Sequence, residues 1–205
     1  MLYWILRITV TPIAKLLFRT KIINKYNIIQ PPAILAANHE DNSDAVCLSM
    51  LTWKKIIFVA NQDTLEPPTR SRFITKYVKK VIVPKEKGRS QEVIDQAERF
   101  LKNNNYIAIF PEGTLKGKNK ILEGKTGVAR MALQSKVPVI PIAIINTYGM
   151  WPKTDLLPKK LHKVTINIGR PMYFKEYYGR QNDRKVTRLI TDKIMNEIKK
   201  LHKEY

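Results

Sequence analysis

Short apolar runs alternate with helix-like segments along most of the chain. Between the runs, apolar residues recur at helical spacing after Ser90, after Thr126 and from Val186 to Leu201. The runs are apolar at nearly every position, which is typical of strands covered on both faces; they are AILAA (33–37), IIFVA (56–60), VIV (81–83), YIAIF (106–110), VPVIPIAII (137–145) and VTINIG (164–169). Because strands alternate with helices, the pattern predicts an α/β fold with a largely parallel, covered sheet and flanking helices.

The first 29 residues differ from the rest of the chain. They contain no acidic residue, they mix apolar with cationic side chains, and Pro12 interrupts them. Their uncharged runs are far shorter than the ~20 residues of a spanning helix, and they lack the cleavage signal of a secretory leader. We therefore predict a membrane-interface segment of two short amphipathic helices in residues 1–29 and an α/β domain in residues 30–205. Packing of this segment on the protein's own core is the alternative.

The charge balance is strongly basic. Lys and Arg number 37 against 17 acidic residues, a net charge of +20. This excess indicates an anionic partner, such as an acidic membrane, a phosphorylated substrate or nucleic acid, although biased codon usage also produces such a composition. The single cysteine, Cys47, excludes an internal disulfide, and the three histidines are too widely separated to predict a metal site.

Two polar clusters follow predicted strands. His39 comes directly after AILAAN, and Glu112, Gly113 and Thr114 come one proline after YIAIF. Ligands of open α/β sheets gather at the carboxyl ends of the strands. The two clusters, 73 positions apart between His39 and Glu112, can therefore share one rim of the sheet.

The first cluster, NHEDNSD, has a functional and a structural interpretation. If a helix begins near Asn42 or Ser43, the Asp44 carboxylate can reach back to the His39 imidazole and orient it as a general base. The chain offers no serine nucleophile, so the nucleophile would be a hydroxyl of the substrate. Alternatively, Asp41 and Asp44 cap the helix and interact with its positive end.

The second cluster, FPEGT, is followed by the lysine-rich stretch LKGKNKILEGKTG. Its glycine permits close approach of the backbone to a ligand. Lysines at 116, 118, 120 and 125 are suited to receive a phosphate. A nucleotide-binding P-loop is rejected because Asn119 stands where that motif needs a glycine.

Three motifs occur in a characteristic order along the chain: H-x-x-x-x-D in NHEDNSD, then FPEGT, then VPVIPIAI. Through them the chain resembles the 1-acyl-sn-glycerol-3-phosphate acyltransferase family over about residues 1 to 175. The resemblance implies transfer of a fatty acyl group from a thioester of coenzyme A or acyl carrier protein to a lysophospholipid hydroxyl. The expected acceptor is 1-acyl-sn-glycerol-3-phosphate, which gives phosphatidic acid, and another lysolipid is the alternative. The resemblance also implies that His39 is the general base and Asp44 its partner.

The same resemblance assigns the substrate-binding residues. Glu112 and Gly113, with Thr114 beside them, are expected to shape the acceptor site. Lys85 stands where the family usually has an arginine for the acceptor phosphate, and Lys125 belongs to a basic-x-Gly element. The chain departs from the family at Leu115, where an arginine is common.

The predicted partners are an anionic membrane surface, the lysophospholipid acceptor and the acyl donor, at the cytoplasmic face of the membrane. No resident cofactor is expected, because the thioester is a co-substrate. A nucleic-acid binder is the main rival, but the sequence has no motif of that class, and a serine hydrolase lacks the G-x-S-x-G elbow. A catalytically silent lipid-binding protein remains open. Cys47 lies in the apolar run AVCLSML and is interpreted as an inert buried thiol.

Overall fold

The structure, a computed structural model, describes residue 12 and residues 15–61, 80–83, 90–115, 120–151 and 163–205. Within these ranges, strands and helices alternate along the chain. The strands are β1 (Lys21–Ile23), β2 (Ala33–Ala37), β3 (Ile56–Asn61), β4 (Lys80–Val83), β5 (Tyr106–Ile109), β6 (Val139–Ile145) and β7 (Thr165–Ile168), and the α-helices are α1 (Ser43–Ser49), α2 (Ser90–Lys102), α3 (Gly127–Ser135) and α4 (Arg184–Lys203). Short 3₁₀ turns lie at Lys25–Asn27 and Lys175–Tyr177.

The described strands form one sheet in the order β1-β7-β6-β2-β5-β3-β4. Neighbouring strands are parallel except β6 and β7, which run antiparallel. The predicted α/β class with a largely parallel, covered sheet is therefore confirmed. All six predicted strands are present, and their ends differ from the prediction by at most two residues. β6 begins at Val139 because Pro138 has no N–H to donate to the ladder.

The amino-terminal segment is partly corrected by the structure. Most of the predicted helical pair in residues 1–29 lies outside the described residues, and residues 15–17 are helical. The prediction of helix is wrong for Lys21–Ile23, which pairs with β7 as an edge strand. Three residues with two isoleucines show no period that separates helix from strand, so only the pairing partner decides. Among the described helices, none is both long and apolar enough to cross a bilayer.

Apolar side chains pack on both faces of the sheet. Every residue of β2 is buried, and its side chains alternate between the faces. Ile34 and Ala36 lie on the side covered by α2, α3 and α4, which we name the α4 face. Leu35 and Ala37 lie on the side that α1 covers, which we name the α1 face. Two-sided burial explains why the strands are apolar throughout rather than alternating.

The helices follow from apolar spacing and capping. In α2 the buried residues Val93, Ile94, Ala97 and Leu101 recur at helical spacing. α4 is capped by Asp183, whose carboxylate accepts hydrogen bonds from the N–H groups of Lys185 and Val186 at 2.9 and 3.1 Å. Such a cap contributes about 1 kcal/mol to the stability of a helix.

Candidate active site

Three loops meet at one edge of the sheet. The chain leaves β2 toward His39, leaves β5 toward Glu112 and leaves β6 toward Trp151. β2 is paired in parallel with both β5 and β6, so the three carboxyl ends lie side by side. The shared rim predicted for His39 and Glu112 is present, because the N–H of His39 donates to Glu112 Oε1 at 3.0 Å.

His39 and Asp44 are in direct contact. α1 begins at Ser43 with Asn42 as its N-cap, so Asp44 lies in the first helical turn, as predicted. Nδ1 of His39 lies 2.9 Å from Oδ2 of Asp44, which is fully buried. An ionised carboxylate only accepts hydrogen bonds, so the contact places the ring proton on Nδ1 and leaves the lone pair on Nε2. No described residue forms a hydrogen bond with Nε2.

Asp44 also holds the backbone of the loop. The same oxygen, Oδ2, accepts the N–H groups of Glu40 at 2.8 Å and Asp41 at 2.9 Å. These bonds support the structural interpretation, in which Asp44 joins the loop to the start of α1. Its role as the partner of a general base stays a prediction. Asp41 contributes a further cap, because its Oδ1 accepts the N–H of Ser43 at 2.9 Å and its hydroxyl at 2.8 Å.

The His39 ring is fixed by packing. It stacks on Phe110, with ring centroids 3.9 Å apart and an angle of 11° between the planes. The His39 side chain is 18% exposed, so the ring is sheltered but reachable. The residue before it, Asn38, is fully buried and exchanges two 2.8 Å hydrogen bonds with the backbone of Ile144 in β6. Sequence reasoning missed Asn38, although an amide directly after a buried apolar strand was a signal.

Glu112 ties the second loop to the first. Its Oε1 accepts the N–H of His39, and its Oε2 accepts the N–H of Leu122 at 2.8 Å. Burial raises the pKa of the Glu112 carboxyl, against the opposing effect of these two N–H donors. The structure thus gives Glu112 a role in positioning the loops.

Lys125 packs over Gly113. A Cβ at position 113 would lie 2.8 Å from Nζ of Lys125, and the backbone φ of 69° there also favours glycine. The N–H of Lys125 donates to the carbonyl of Pro111 at 2.8 Å. Its side chain is exposed at the rim, so a cation stands beside the loop that carries Glu112.

The loop after β6 is hydrogen-bonded to the loop that carries His39. The sequence did not predict this contact. The N–H of Trp151 donates to both carboxylate oxygens of Asp41, at 3.0 and 3.1 Å. Its carbonyl accepts from the side-chain amide of Asn42 at 3.0 Å. Asp41 and Asn42 therefore fix where Trp151, which is partly exposed, joins the rim.

The remaining predicted residues have different outcomes. Thr114 is half-buried directly after Gly113. Lys85 lies outside the described residues, as do the lysines at 116 and 118.

Cys47 is fully buried on the α1 face, and burial, followed by the charges of Asp44 and Asp41, raises the pKa of its thiol well above the usual value. This environment supports the interpretation of an inert thiol. Within the described ranges, no three His, Cys, Asp or Glu side chains group as metal ligands.

The arrangement is suited to accept a proton. With the proton on Nδ1, Nε2 keeps a lone pair that can accept a proton, and the Asp44 carboxylate is placed to stabilise an imidazolium. Lys125 supplies a positive charge on the neighbouring loop. An imidazole base beside a cation fits a substrate that carries both a hydroxyl group and a phosphate.

Comparison with known proteins identifies the family. The sequence model described as Acyltransferase matches residues 19–145, which include His39, Asp44 and Glu112. A 1-acyl-sn-glycerol-3-phosphate acyltransferase of Cocos nucifera is 24% identical over 125 residues, which are 60% of this chain and 41% of that protein. The Salmonella typhimurium protein of that name is 25% identical over 173 residues, 84% of this chain and 69% of that protein.

A probable 1-acyl-sn-glycerol-3-phosphate acyltransferase of Mycoplasma pneumoniae is 25% identical over 134 residues, 62% of this chain and 50% of that protein. The chain thus spans about half the length of the Cocos and Mycoplasma relatives. The crystal structure of the 1-acyl-sn-glycerophosphate acyltransferase of Thermotoga maritima has the same fold, with a TM-score of 0.66, 23% identity and coverage of 94% of this chain and 81% of that one. Since the family match extends over more than half of the sequence, the chain belongs to the acyltransferase family.

Proposed function

We propose that the protein transfers a fatty acyl group from a thioester to the free hydroxyl of 1-acyl-sn-glycerol-3-phosphate and so forms phosphatidic acid. The observation that carries the proposal is the contact of 2.9 Å between His39 Nδ1 and Asp44 Oδ2 at a rim shared with Glu112. Family membership and the names of the relatives support acyl transfer to this lysolipid. The acyl donor is a thioester of coenzyme A or of acyl carrier protein.

His39 carries the proton in the proposed reaction. Nε2 takes the proton of the acceptor hydroxyl while the hydroxyl oxygen attacks the thioester carbonyl. The tetrahedral intermediate then collapses with cleavage of the carbon–sulfur bond, and the imidazolium returns its proton to the departing thiolate. Asp44 stabilises the imidazolium between these two steps. The products are the diacyl lipid and the free thiol, and His39 ends in its starting state.

The acceptor phosphate is assigned to the rim beside Gly113. Lys125 reaches over this glycine, and the absence of a Cβ there leaves room for its side chain. Lys85 is proposed to contribute a second charge, as the family resemblance implies. Glu112 and Gly113 shape the floor of this acceptor site, and Thr114 adds a hydroxyl next to them.

A membrane surface supplies the lipid acceptor in this proposal. β1 begins at Lys21, which lies opposite Thr165, and Thr165 lies opposite Ile145 at the carboxyl end of β6. The helical residues just before β1 therefore lie at the same edge of the sheet as His39. They expose Leu16 by 79% and Leu17 by 45%. We place this edge against an anionic bilayer at the cytoplasmic face, where apolar side chains enter the interface and cations meet headgroups.

An acceptor panel tests the function. Purified protein is incubated with labelled acyl-coenzyme A or acyl-acyl carrier protein and with lysophosphatidic acid, glycerol 3-phosphate or zwitterionic lysolipids in vesicles. We expect labelled phosphatidic acid from lysophosphatidic acid and from one or both donors. Faster acylation of a different lysolipid would revise the acceptor. Vesicle binding without any turnover would contradict the proposal and indicate a silent lipid-binding protein.

Vesicle flotation tests the membrane edge. Phe18 is buried in the core and β1 belongs to the sheet, so the deletion is confined to residues 1–14 and spares both. We expect this deletion, and the double change of Leu16 and Leu17 to serine, to weaken binding to anionic vesicles by about tenfold or more. Leu189→Ser is the matched control, because Leu189 is 43% exposed on α4. Equal binding by all variants would place the contact surface elsewhere.

A further inference from the structure

The carboxylate of Glu40, the residue after the proposed base, is buried and has no hydrogen bond to a described residue. Its side chain is 3% exposed, and neither carboxylate oxygen has a hydrogen-bond partner among the described residues. His202 of α4 faces it, with Nε2 3.6 Å from Oε1 of Glu40. This distance is too long for a hydrogen bond but lies within the range of an ion pair. Nε2 of His202 is itself buried and has no described hydrogen-bond partner.

Glu40 and His39 point to opposite sides of the sheet. The His39 ring stacks on Phe110, which packs against the core of the α1 face. Glu40 reaches instead toward α4, whose apolar residues pack on the α4 face. The loop is thus held from both sides, with the reacting imidazole on one side and the Glu40 carboxylate on the other.

Glu40 is linked through its backbone to the pair formed by His39 and Asp44. Its N–H donates to the same Asp44 oxygen that contacts His39. Burial is the main cause that raises the pKa of Glu112, and the charge of Glu40 adds to it. A shift of the Glu40 backbone therefore acts on Asp44, the hydrogen-bonded partner of the His39 ring.

The end of α4 is a firm anchor for this contact. Asn167 of β7 is fully buried, and its side-chain amide donates to the carbonyl of Leu201 at 3.1 Å and to the Glu204 carboxylate at 3.0 Å. These bonds lie on either side of His202 in sequence. The position of His202 is therefore set by the sheet.

We propose that Glu40 and His202 are positioning residues that form a charge pair, and that this pair holds the His39 loop against α4 in the geometry needed for proton transfer. A buried carboxylate that loses the polar group facing it must move toward water or take up a proton. In either case the backbone of Glu40 shifts, and Asp44 and His39 shift with it. This inference rests on the proposed function, because it names residues that support the same base.

The test is a double-mutant cycle on acyl transfer with the full chain. His202→Ala leaves Glu40 without its counter-charge, so we expect kcat to fall by about 10- to 100-fold while the KM values of donor and acceptor change little. Glu40→Gln removes the charge that needs a partner and should cost less. Glu40→Gln combined with His202→Ala should then recover much of the loss, because no buried charge remains. Asn196→Ala, an exposed change on the same helix, is the control.

Histidine NMR gives a readout that does not depend on turnover. The chain has three histidines, so the ring nitrogens of His39 can be resolved and assigned. We expect the Nδ1–H form of His39 in the unchanged protein and in the double variant, and a mixture of ring forms in His202→Ala. If the unchanged protein shows no acyl transfer although His39 gives the Nδ1–H signal, the proposed reaction is contradicted. The charge pair is not contradicted by that result.

Three results would overturn the positioning role. The first is His202→Ala with normal kcat and an unchanged His39 signal. The second is a double variant whose loss of kcat, expressed as free energy, equals the sum of the two single losses. Such additivity indicates independent packing effects rather than a charge pair. The third is failure of both His202→Ala and the double variant to fold. If only the single variant fails to fold and the double variant folds, the uncompensated charge of Glu40 is the cause and the pair is supported.

Discussion

The loops after β2 and β5 leave the sheet at the same edge but hold their charges differently. In the β2 loop, Asp41 and Asp44 are buried and each accepts several hydrogen bonds, mostly from backbone N–H groups. In the β5 loop, Glu112 is bound in this way, whereas Lys125 lies exposed over Gly113. One loop therefore fixes its charged groups before any substrate arrives, and the other presents a cation to solvent.

This difference matches two kinds of task. A proton-transfer group works only when its partner is aligned in advance, because misplacement by about 1 Å can cost 10²-fold in rate. A phosphate carries several acceptor oxygens, and a lysine is a flexible point charge, so a contact with it tolerates movement. We therefore expect changes in the β2 loop to act on kcat and changes in the exposed part of the β5 loop to act on acceptor KM.

The largest effect is expected from His39→Ala. Loss of the general base should lower acyl transfer by at least about 10²–10⁴-fold, the usual contribution of such a group. The fold should remain, because Asp44 keeps its two backbone hydrogen bonds. Turnover with lysophosphatidic acid and thermal unfolding on one sample check this prediction. A folded variant with turnover close to wild type would remove His39 from the reaction.

Asp44→Asn separates the two tasks of this carboxylate. The amide oxygen can still accept the N–H groups of Glu40 and Asp41, so stability should change little. The negative charge beside the imidazolium is lost, so turnover should fall by up to about 10⁴-fold. Combined with His39→Ala, the change should add little, because the pair acts as a unit.

Asp183→Asn provides the matched control for the Asp44 change. Asp183 caps α4 through two backbone N–H groups and lies outside the site. Turnover and thermal unfolding of both asparagine variants are compared. If Asp44→Asn leaves turnover as unaffected as Asp183→Asn does, Asp44 is a cap alone.

The sequence predicted the sheet well because burial on both faces leaves a clear pattern. Runs such as AILAA and YIAIF are apolar at every position, and the described strands coincide with them to within two residues. β1 lies in the stretch that was predicted as helix because it mixes apolar with cationic side chains. Its three residues carry no period, and its strand conformation depends on a partner more than 140 positions away. Local patterns cannot report such a pairing.

The site was predictable where its chemistry follows the chain. The spacing of His39 and Asp44 and the start of α1 at Ser43 were sufficient to predict their contact. The bond from Asn42 to Trp151 was not predictable, because it joins loops 109 residues apart. The contact of Glu40 with His202 has the same character, since no motif connects a loop to the last turn of a distant helix.

Lys125→Ala should give a smaller effect of a different kind. If its ammonium group donates a charge-assisted hydrogen bond to the acceptor phosphate, acceptor KM should rise by about 10- to 100-fold with little change in kcat. Lys85→Ala should act in the same direction. Lys102→Ala is the control, because the Lys102 side chain is 72% exposed at the end of α2, just before β5 begins. Equal acceptor kinetics in all three variants would place the phosphate elsewhere.

The smallest effect is expected on stability, from Glu112→Gln. The amide can accept only one of the two N–H groups, from His39 or Leu122, that the carboxylate now accepts. Loss of one such bond should lower the free energy of unfolding by about 1–3 kcal/mol. Glu123→Gln is the control, because the Glu123 side chain is 81% exposed in the same loop.

The difference in stability between the unchanged protein and Glu112→Gln should depend on pH. This dependence tests whether burial or the N–H donors dominate the pKa of Glu112. Burial raises the pKa of its carboxyl in the folded state, so between about pH 4.3, the ordinary glutamate value, and the folded pKa the native protein binds more protons than the unfolded chain. Stability from this group is therefore complete below the ordinary pKa and falls as pH rises through the folded pKa. The stability difference between the unchanged protein and Glu112→Gln, measured by chemical denaturation across this range, should narrow as pH rises. If the difference widens instead, the N–H donors outweigh burial in setting the pKa of Glu112.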